Sequence, residues 1–411
     1  MRILMLSDVY FPRVNGVSTS IQTYRDDLLK LGHHCTLIAP AYPASAGAGP
    51  APDDADILRI SSRQVPRDPE DRLMRRAEIR ALLPQLRTRR FDVLHIQTPF
   101  LAHYAGLELA RELKLPVVES YHTYFEHYLH HYMPFLPAGL MKALARRFTL
   151  SQCGAVNAVI SPSAPMADAL RQYGVATRIE VLPTGLPPSR FKSGVGARFR
   201  AARGIGANRP MLLFVGRVAF EKNIDFLIRL VPALRAQIPE VLLVVAGEGP
   251  AQAHCAQLVR QLGVEDHVQF VGYMERDTEL LDCYKAADAF VFASRTETQG
   301  LVLLEAMAQG TPVVSTAVMG TIDVLREAQG AVVVPESEAA FVAAISALLA
   351  GPERRMDLSA HAKADAERWS SLAMARRLLK LYESVTDSRP VMQSSSISQL
   401  PVVSRTQDRA A

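Results

Sequence analysis

"AFVFASRTETQGLVLLEAMAQG" (289–310) runs from an apolar stretch through a polar turn into a second apolar stretch of helical length. Residues 289–294 read as a buried strand, Gly300 permits a tight entry, and "LVLLEAMAQ" reads as helix until Gly310 stops it. Strand, turn and helix in that order is the repeating step of a parallel α/β sheet. A helix that starts at a strand end offers free N–H groups and a positive dipole end to an anion. Two carboxylates, Glu297 on the turn and Glu305 in the helix, stand with seven residues between them. Acidic groups on either side of an anion seat suit the hydroxyls of a nucleotide sugar, one gripping the hexose and the other the ribose. The plain alternative is a capping carboxylate followed by a solvated helix glutamate.

Outward from this stretch the same step recurs. "RILMLSD" (2–8), "CTLIAP" (35–40), "ILRI" (57–60), "DVLHIQ" (92–97), "PVVESYH" (116–122), "AVNAVISPS" (155–163) and "RIEVLPTG" (178–185) read as strands, the first six each followed by helix-compatible sequence. "LPPSRFKSGVGARFRAARGIGANRP", from residue 186, breaks the pattern and marks a domain junction. A second α/β run follows: "MLLFVGR" (211–217), "EVLLVVAGEG" (240–249), "VQFVGY" (268–273), "AFVFAS" (289–294), "TPVVST" (311–316) and "GAVVV" (330–334). "SSLAMARRLLKLYESV" (370–385) reads as an amphipathic helix, and the Ser-rich polar remainder as a disordered tail. Open parallel sheets bind ligands beyond the carboxyl ends of their strands, so two facing sheets make a deep cleft between domains.

The 411 residues suit two cores. With 49% hydrophobic and 21% charged residues the composition is that of a globular protein. A net charge of +5 and a pI near 9.0 allow an anionic partner without demanding one. Four cysteines without CxxC spacing suggest neither zinc nor a disulfide framework and fit a reducing cytoplasm. The apolar opening breaks at Ser7-Asp8, unlike a signal peptide, and no run is long enough to span a bilayer.

"FVGRVAFEKNID" (214–225) follows the first strand of the second run, so Arg217 and Lys222 can converge on one diphosphate, the first as a fork and the second as a point charge. "FPRVNGV" (11–17) joins strand one to a helix; Gly16 lets backbone approach a ligand and Val17 opens the helix. Gly247 and Gly249 in "AGEGP" allow close approach at another strand end, and Tyr273 in "VGYM" lies where backbone groups can meet a base. The cluster "SYHTYFEHYLHHYMPFLP" (120–137) lacks the HExxH arrangement and any cysteine, so its histidines do not read as metal ligands. Asp54 and Asp56 in "DDADI" mimic a metal-binding DxD, but their setting reads as surface. No GxGxxG follows the first strand, which argues against a dinucleotide oxidoreductase.

Taken together, the paired-glutamate stretch, "GRVAFEKN" and the opening "DVYFPRVNGVSTSI" resemble the retaining glycosyltransferases of family four, from residue 1 to about 385. The resemblance implies the GT-B fold, two Rossmann-like parallel-sheet domains facing a cleft. Residues 1–186 would form the acceptor-side domain, 187–208 a linker, 209–368 the nucleotide-sugar domain, 369–385 a helix returning to the first domain and 386–411 the tail. It implies donor contacts at Glu297, Thr298, Gln299, Gly300, Leu301 and Glu305, with Arg217 and Lys222 on the diphosphate. The loop holding Gly16 and Val17 would meet the phosphates and acceptor, and His122, directly after a strand, would touch the hexose near the reacting carbon. Arg217, Lys222, Glu297 and His122 would be the catalytic set. The family usually carries Phe where Gln299 stands. "YHTYFEHY" resembles the glycolipid-forming branch, implying a lipid or glycan acceptor.

The expected activity is transfer of glucose or mannose from a UDP- or GDP-sugar to an acceptor hydroxyl of a membrane lipid or glycolipid, with retention of configuration. No metal, other cofactor or nucleic acid is expected, since two cations and a helix end already face the diphosphate. The arginine-rich 68–90 and the mixed 133–148 are candidate contacts with an anionic membrane, at the inner face of the cell membrane. A sugar-nucleotide epimerase and a non-catalytic binding subunit are the alternatives.

Overall fold

Residues 1–13, 15–43, 55–65, 68–122 and 138–387 are described by the computed structural model. The N-terminal sheet is built from β1 (Arg2–Leu6), β2 (His34–Pro40), β3 (Ile57–Ile60), β6 (Val93–Ile96), β7 (Val117–Ser120), β8 (Ala158–Ser161) and β9 (Arg178–Val181), ordered β3-β2-β1-β6-β7-β8-β9. Every neighbouring pair in it is parallel. Its apolar strands alternate between two cores: Ile3 and Met5 face one, Leu4 and Leu6 the other. That is the pattern of a sheet covered by helices on both sides.

After β3 the chain departs from the expected helix. An antiparallel ribbon of β4 (Ser62–Val65) and β5 (Asp68–Met74) comes first, and helices Arg76–Ala81 and Leu83–Arg89 follow. Pro66 and Pro69 disfavour a helix through this stretch, and Met74 anchors the ribbon in the core. The arginines beyond it are largely paired. Arg76 and Arg80 both hold Glu108, Arg87 reaches Glu112 at 3.0 Å and Arg89 reaches Asp56 at 3.1 Å.

The C-terminal sheet contains β10 (Met211–Val215), β11 (Leu242–Ala246), β12 (Val268–Gly272), β13 (Ala289–Phe292), β14 (Val313–Ser315) and β15 (Ala331–Val333), ordered β12-β11-β10-β13-β14-β15 and again parallel throughout. Phe290 and Phe292 stack at its centre with centroids 5.9 Å apart. The segment expected as a linker contains a short turn at Pro188–Phe191 and a helix, Gly196–Ala202, whose Phe199 packs into this second core with Ile205.

The chain crosses between the halves twice, at one place. Leu186 N donates to Trp369 O at 2.7 Å and Ser371 N donates to Leu186 O at 3.0 Å. A Cβ on Gly185 would lie 2.4 Å from Ser371 Cα, so only glycine fits this crossing. From there helix Ser371–Asp387 returns to the N-terminal sheet, burying Met374, Leu378, Leu381 and Tyr382 beside Ile3 and Met5.

Candidate active site

Arg217, Gly247, Tyr273 and His122 sit just past strand ends, where a parallel sheet exposes unpaired backbone. After β10 the chain turns through Phe220–Lys222, and Asn223, in the left-handed region, donates from Nδ2 to Ala293 O at 3.1 Å. Arg295 N donates to Glu221 O at 3.4 Å. The turn after β10 is thereby stitched to the turn after β13, and Lys222 Nζ forms a direct ion pair with Glu297. Both side chains are about one-fifth exposed (18% and 19%), so the pair opens to solvent on one side only. Arg217, on the same turn, is exposed, and its guanidinium has no hydrogen-bonding or ionic partner among the described residues. A fixed lysine beside a free arginine is a site for an anion with more than one charge.

Helix Leu301–Ala308 begins at Gly300, whose φ of 86° is left-handed, and no side chain caps it. Leu303 N already donates to Gly300 O at 3.0 Å, which leaves the N–H groups of Leu301 and Val302, without such a partner among the described residues, for a ligand. The turn carrying Glu297 and Thr298 is braced from behind: Gly320 N donates to Glu297 O at 2.8 Å, and a Cβ on Gly320 would lie 2.0 Å from Thr298 O. Leu301 opens the helix, half-buried.

Gly247 and Gly249 also owe their identity to backbone contact, but with protein. A Cβ on Gly247 would stand 2.0 Å from Gly216 O, and one on Gly249 2.4 Å from Val218 O. They let the turn after β11 close on the one carrying Arg217. Tyr273 is 57% exposed at the end of β12. At the first helix, Asn15 accepts from Ser18 N at 2.8 Å as the N-cap, with Gly16 exposed and Val17 half-buried in the opening turn.

Three candidates are engaged in ways the sequence did not suggest. Glu305 is buried at 4% exposure. Its Oε1 accepts from Arg276 at 2.6 Å and lies 3.8 Å from Arg190, while Oε2 accepts from the Tyr284 hydroxyl at 3.0 Å. Arg276 also reaches Thr19 Oγ1, in the first helix, at 3.3 Å. Gln299, expected among the donor contacts, uses both ends of its amide on one residue. Its Oε1 accepts from Thr184 N at 2.8 Å and its Nε2 donates to Thr184 O at 2.6 Å. A buried amide takes two backbone partners because leaving either end unpaired is costly, and a phenylalanine could supply neither. His122 lies across the N-terminal sheet, its Nε2 3.3 Å from Gln97 Oε1, and burial lowers its pKa to about 4.

The structure thus brings Lys222 together with Glu297, and the Arg217 turn together with Gly247 and Gly249. It gives no direct contact between these and Glu305 or His122. The sequence reading missed Arg190, Arg276 and Thr184. Arg276 had a signal, standing four residues past β12 beside "VGYM". Replacing Gln299 with Ala is expected to leave Thr184 N–H and C=O unpaired, lowering stability by about 2 kcal/mol and speeding amide hydrogen exchange at Thr184. An unchanged exchange rate would show that Gln299 does not hold that backbone.

Among the described residues, no group of three or more His, Cys, Asp or Glu side chains is gathered as a metal site requires. Asp56 is occupied by Arg89, while Asp54 and His127, His130 and His131 lie outside the described residues. No described helix is long and apolar enough to cross a membrane.

Residues 197–365 match the family described as glycosyl transferases group 1, and residues 14–190 that described as glycosyltransferase family 4. An alpha-monoglucosyldiacylglycerol synthase of Streptococcus pneumoniae is 33% identical over 329 residues, covering 77% of this chain and 71% of that protein. A D-inositol 3-phosphate glycosyltransferase of Xylanimonas cellulosilytica is 31% identical over 310 residues, covering 73% of each. Among solved structures, sucrose-phosphate synthase from Thermosynechococcus elongatus superimposes with a TM-score of 0.73 at 22% identity, over 94% of this chain and 99% of that one, a likeness of fold. Two parallel sheets, an ion-paired turn at the start of an uncapped helix and these matches lead to one assignment: the chain belongs to the family 4 glycosyltransferases, with the GT-B fold.

Proposed function

We propose that the protein transfers a hexose, glucose or mannose, from a UDP- or GDP-linked sugar to a hydroxyl of a membrane lipid or glycolipid, retaining the anomeric configuration and using no metal. The observation that carries this reading is the Lys222–Glu297 pair at the mouth of helix Leu301–Ala308, with Arg217 unpaired on the adjoining turn. As the glycosidic bond breaks, negative charge develops on the departing diphosphate. Arg217, Lys222 and the first-turn N–H groups stabilise it without reorganising, which is often the largest catalytic term. Glu297 accepts from hexose hydroxyls and fixes Lys222. Among the described residues no side chain is placed as a nucleophile activated by a base, which favours a front-face route in which the leaving phosphate takes the proton of the acceptor hydroxyl.

The lipid acceptor is supported by the likeness to the streptococcal alpha-monoglucosyldiacylglycerol synthase, whose product carries an α-glucosyl group on diacylglycerol. An α-linked product from an α-linked donor is retention. Membrane contact is supported by a surface groove between helices Ala138–Cys153 and Ala164–Tyr173, lined by Arg146, Arg147, Leu150 and Tyr173. This groove shares no residue with the donor constellation. The ion-paired arginines of 76–89 are less suited to lipid headgroups.

The test incubates the protein with UDP-glucose or GDP-mannose and vesicles containing diacylglycerol, neutral or with phosphatidylglycerol, in EDTA or magnesium. A lipid one hexose heavier, formed in EDTA and faster on anionic vesicles, is the expected product by mass. Donor turnover without acceptor points to an epimerase, binding without turnover to a non-catalytic subunit, and strict metal dependence removes the metal-free step.

A further inference from the structure

The middle of β6 carries a histidine where neighbouring positions are apolar. Along "VLHIQ" (93–97), Leu94 and Ile96 face one core, while Val93 and His95 face the other, beneath the C-terminal helix. His95 is fully buried, and burying an unpaired imidazole is costly, so its ring must be bonded on both sides. It is: Nδ1 lies 2.6 Å from the Tyr382 hydroxyl and 3.0 Å from Gln97 Nε2, and Nε2 lies 2.9 Å from Ser120 Oγ. Gln97, itself buried, then presents Oε1 to His122 Nε2 at 3.3 Å.

With the Gln97 amide turned so that Nε2 meets His95 Nδ1 and Oε1 meets His122 Nε2, the proton positions follow. Burial holds the Tyr382 phenol well above its usual pKa, so it stays protonated. With no other acceptor in the network, its hydrogen points to His95 Nδ1. Gln97 Nε2 points its own hydrogen at the same lone pair, and His95 therefore carries its proton on Nε2 and donates to Ser120. The Gln97 carbonyl is left to accept, which requires a proton on His122 Nε2. The Nδ1 of His122 has no bonded partner among the described residues. Burial drops the pKa of His95 to about 3, as it lowers that of His122, so both rings are neutral at physiological pH.

We infer that Tyr382, His95 and Gln97 are positioning residues that hold His122 as its Nε2–H tautomer, presenting the Nδ1 lone pair to a hydroxyl of the donor sugar. The tautomer stands on the hydrogen bonds alone; the sugar hydroxyl rests on the glycosyltransfer reading above. The arrangement gives the returning helix a function beyond covering a core, since its Tyr382 starts a chain of bonds that ends at His122.

The test uses the full chain labelled with ¹⁵N-histidine, His122 being assigned by the signal lost in His122→Gln. Ring correlations should show His122 with its proton on Nε2. Gln97→Leu should shift it to a mixture or to Nδ1–H, and Gln97→Glu, which keeps an acceptor, should restore Nε2–H. Tyr382→Phe, the mildest change, should move the His95 signals and lower kcat by roughly five- to tenfold, the worth of about one hydrogen bond, with KM little altered. A residue of purely structural importance would lower the unfolding midpoint without moving the ring signals. A folded Gln97→Leu protein with an unaltered His122 tautomer, or a folded Tyr382→Phe protein with unmoved His95 signals, would overturn the inference. If the signals move as described while the unaltered protein transfers no sugar, the glycosyltransfer reading has failed and the relay has not.

Discussion

Lys222→Ala is expected to slow transfer by about 10²–10³-fold, the cost of removing one preorganised donor from a developing anion. The loss should appear in kcat, because the charge that Lys222 meets grows as the bond breaks. Folding should survive, since the Lys222–Glu297 pair is partly open to water and such pairs contribute little to stability. Arg217→Ala should act in the same direction for the same reason, its exposed guanidinium having no hydrogen-bonding or ionic partner among the described residues that its removal could disturb. If both cations serve one diphosphate, the double variant should fall short of the product of the two single losses, because neighbouring groups acting on one charge are not additive. Lys222→Arg keeps the charge but exchanges a point donor for a fork, so partial recovery is the expected result. Near-normal turnover in both alanine variants, measured on folded protein, would remove the diphosphate from this turn.

Glu305→Ala has the second large effect, and it falls on stability. The carboxylate is the common partner of Arg276 and Tyr284, with Arg190 close by. Removing it takes the ionic partner from Arg276 and the acceptor from the buried Tyr284 hydroxyl, while Arg190 keeps Asp277 at 3.2 Å. Breaking a buried pair from one side costs about 3–5 kcal/mol when both ions are fully enclosed. The partial exposure of Arg276 places the expectation near the lower end, about 3 kcal/mol. Urea unfolding checks this: the midpoint should fall with little change in slope. Glu305→Gln, which preserves shape and one acceptor, should be milder, at about 1–2 kcal/mol. A carboxylate reserved for ribose would behave otherwise, raising KM while leaving the midpoint alone. The contact of Arg276 with Thr19 ties this same cluster to the first helix of the N-terminal half, so a nucleoside approaching Glu305 must also contend with Arg276.

The sequence by itself determined the architecture. Short apolar runs such as "MLLFV" and "LLVVA", too short for helices, read as strands buried on both faces, and the helical stretches between them imply parallel order. It also pointed to the candidate site residues, because glycines and charged residues directly follow those runs. Local rules failed at 68–74, where prolines and a single buried methionine make a ribbon in place of a helix.

What only the tertiary structure decided is which polar groups find one another. Gln299 meets Thr184 across 115 residues, and His95 meets Tyr382 across 287. Glu305 is claimed by arginines from separate turns. A hydrogen bond is fixed by angle and distance between whole elements, and nothing in the spacing along a chain encodes that. Hydrophobic periodicity is local and survives in one dimension; the partner of a buried polar atom exists only in three.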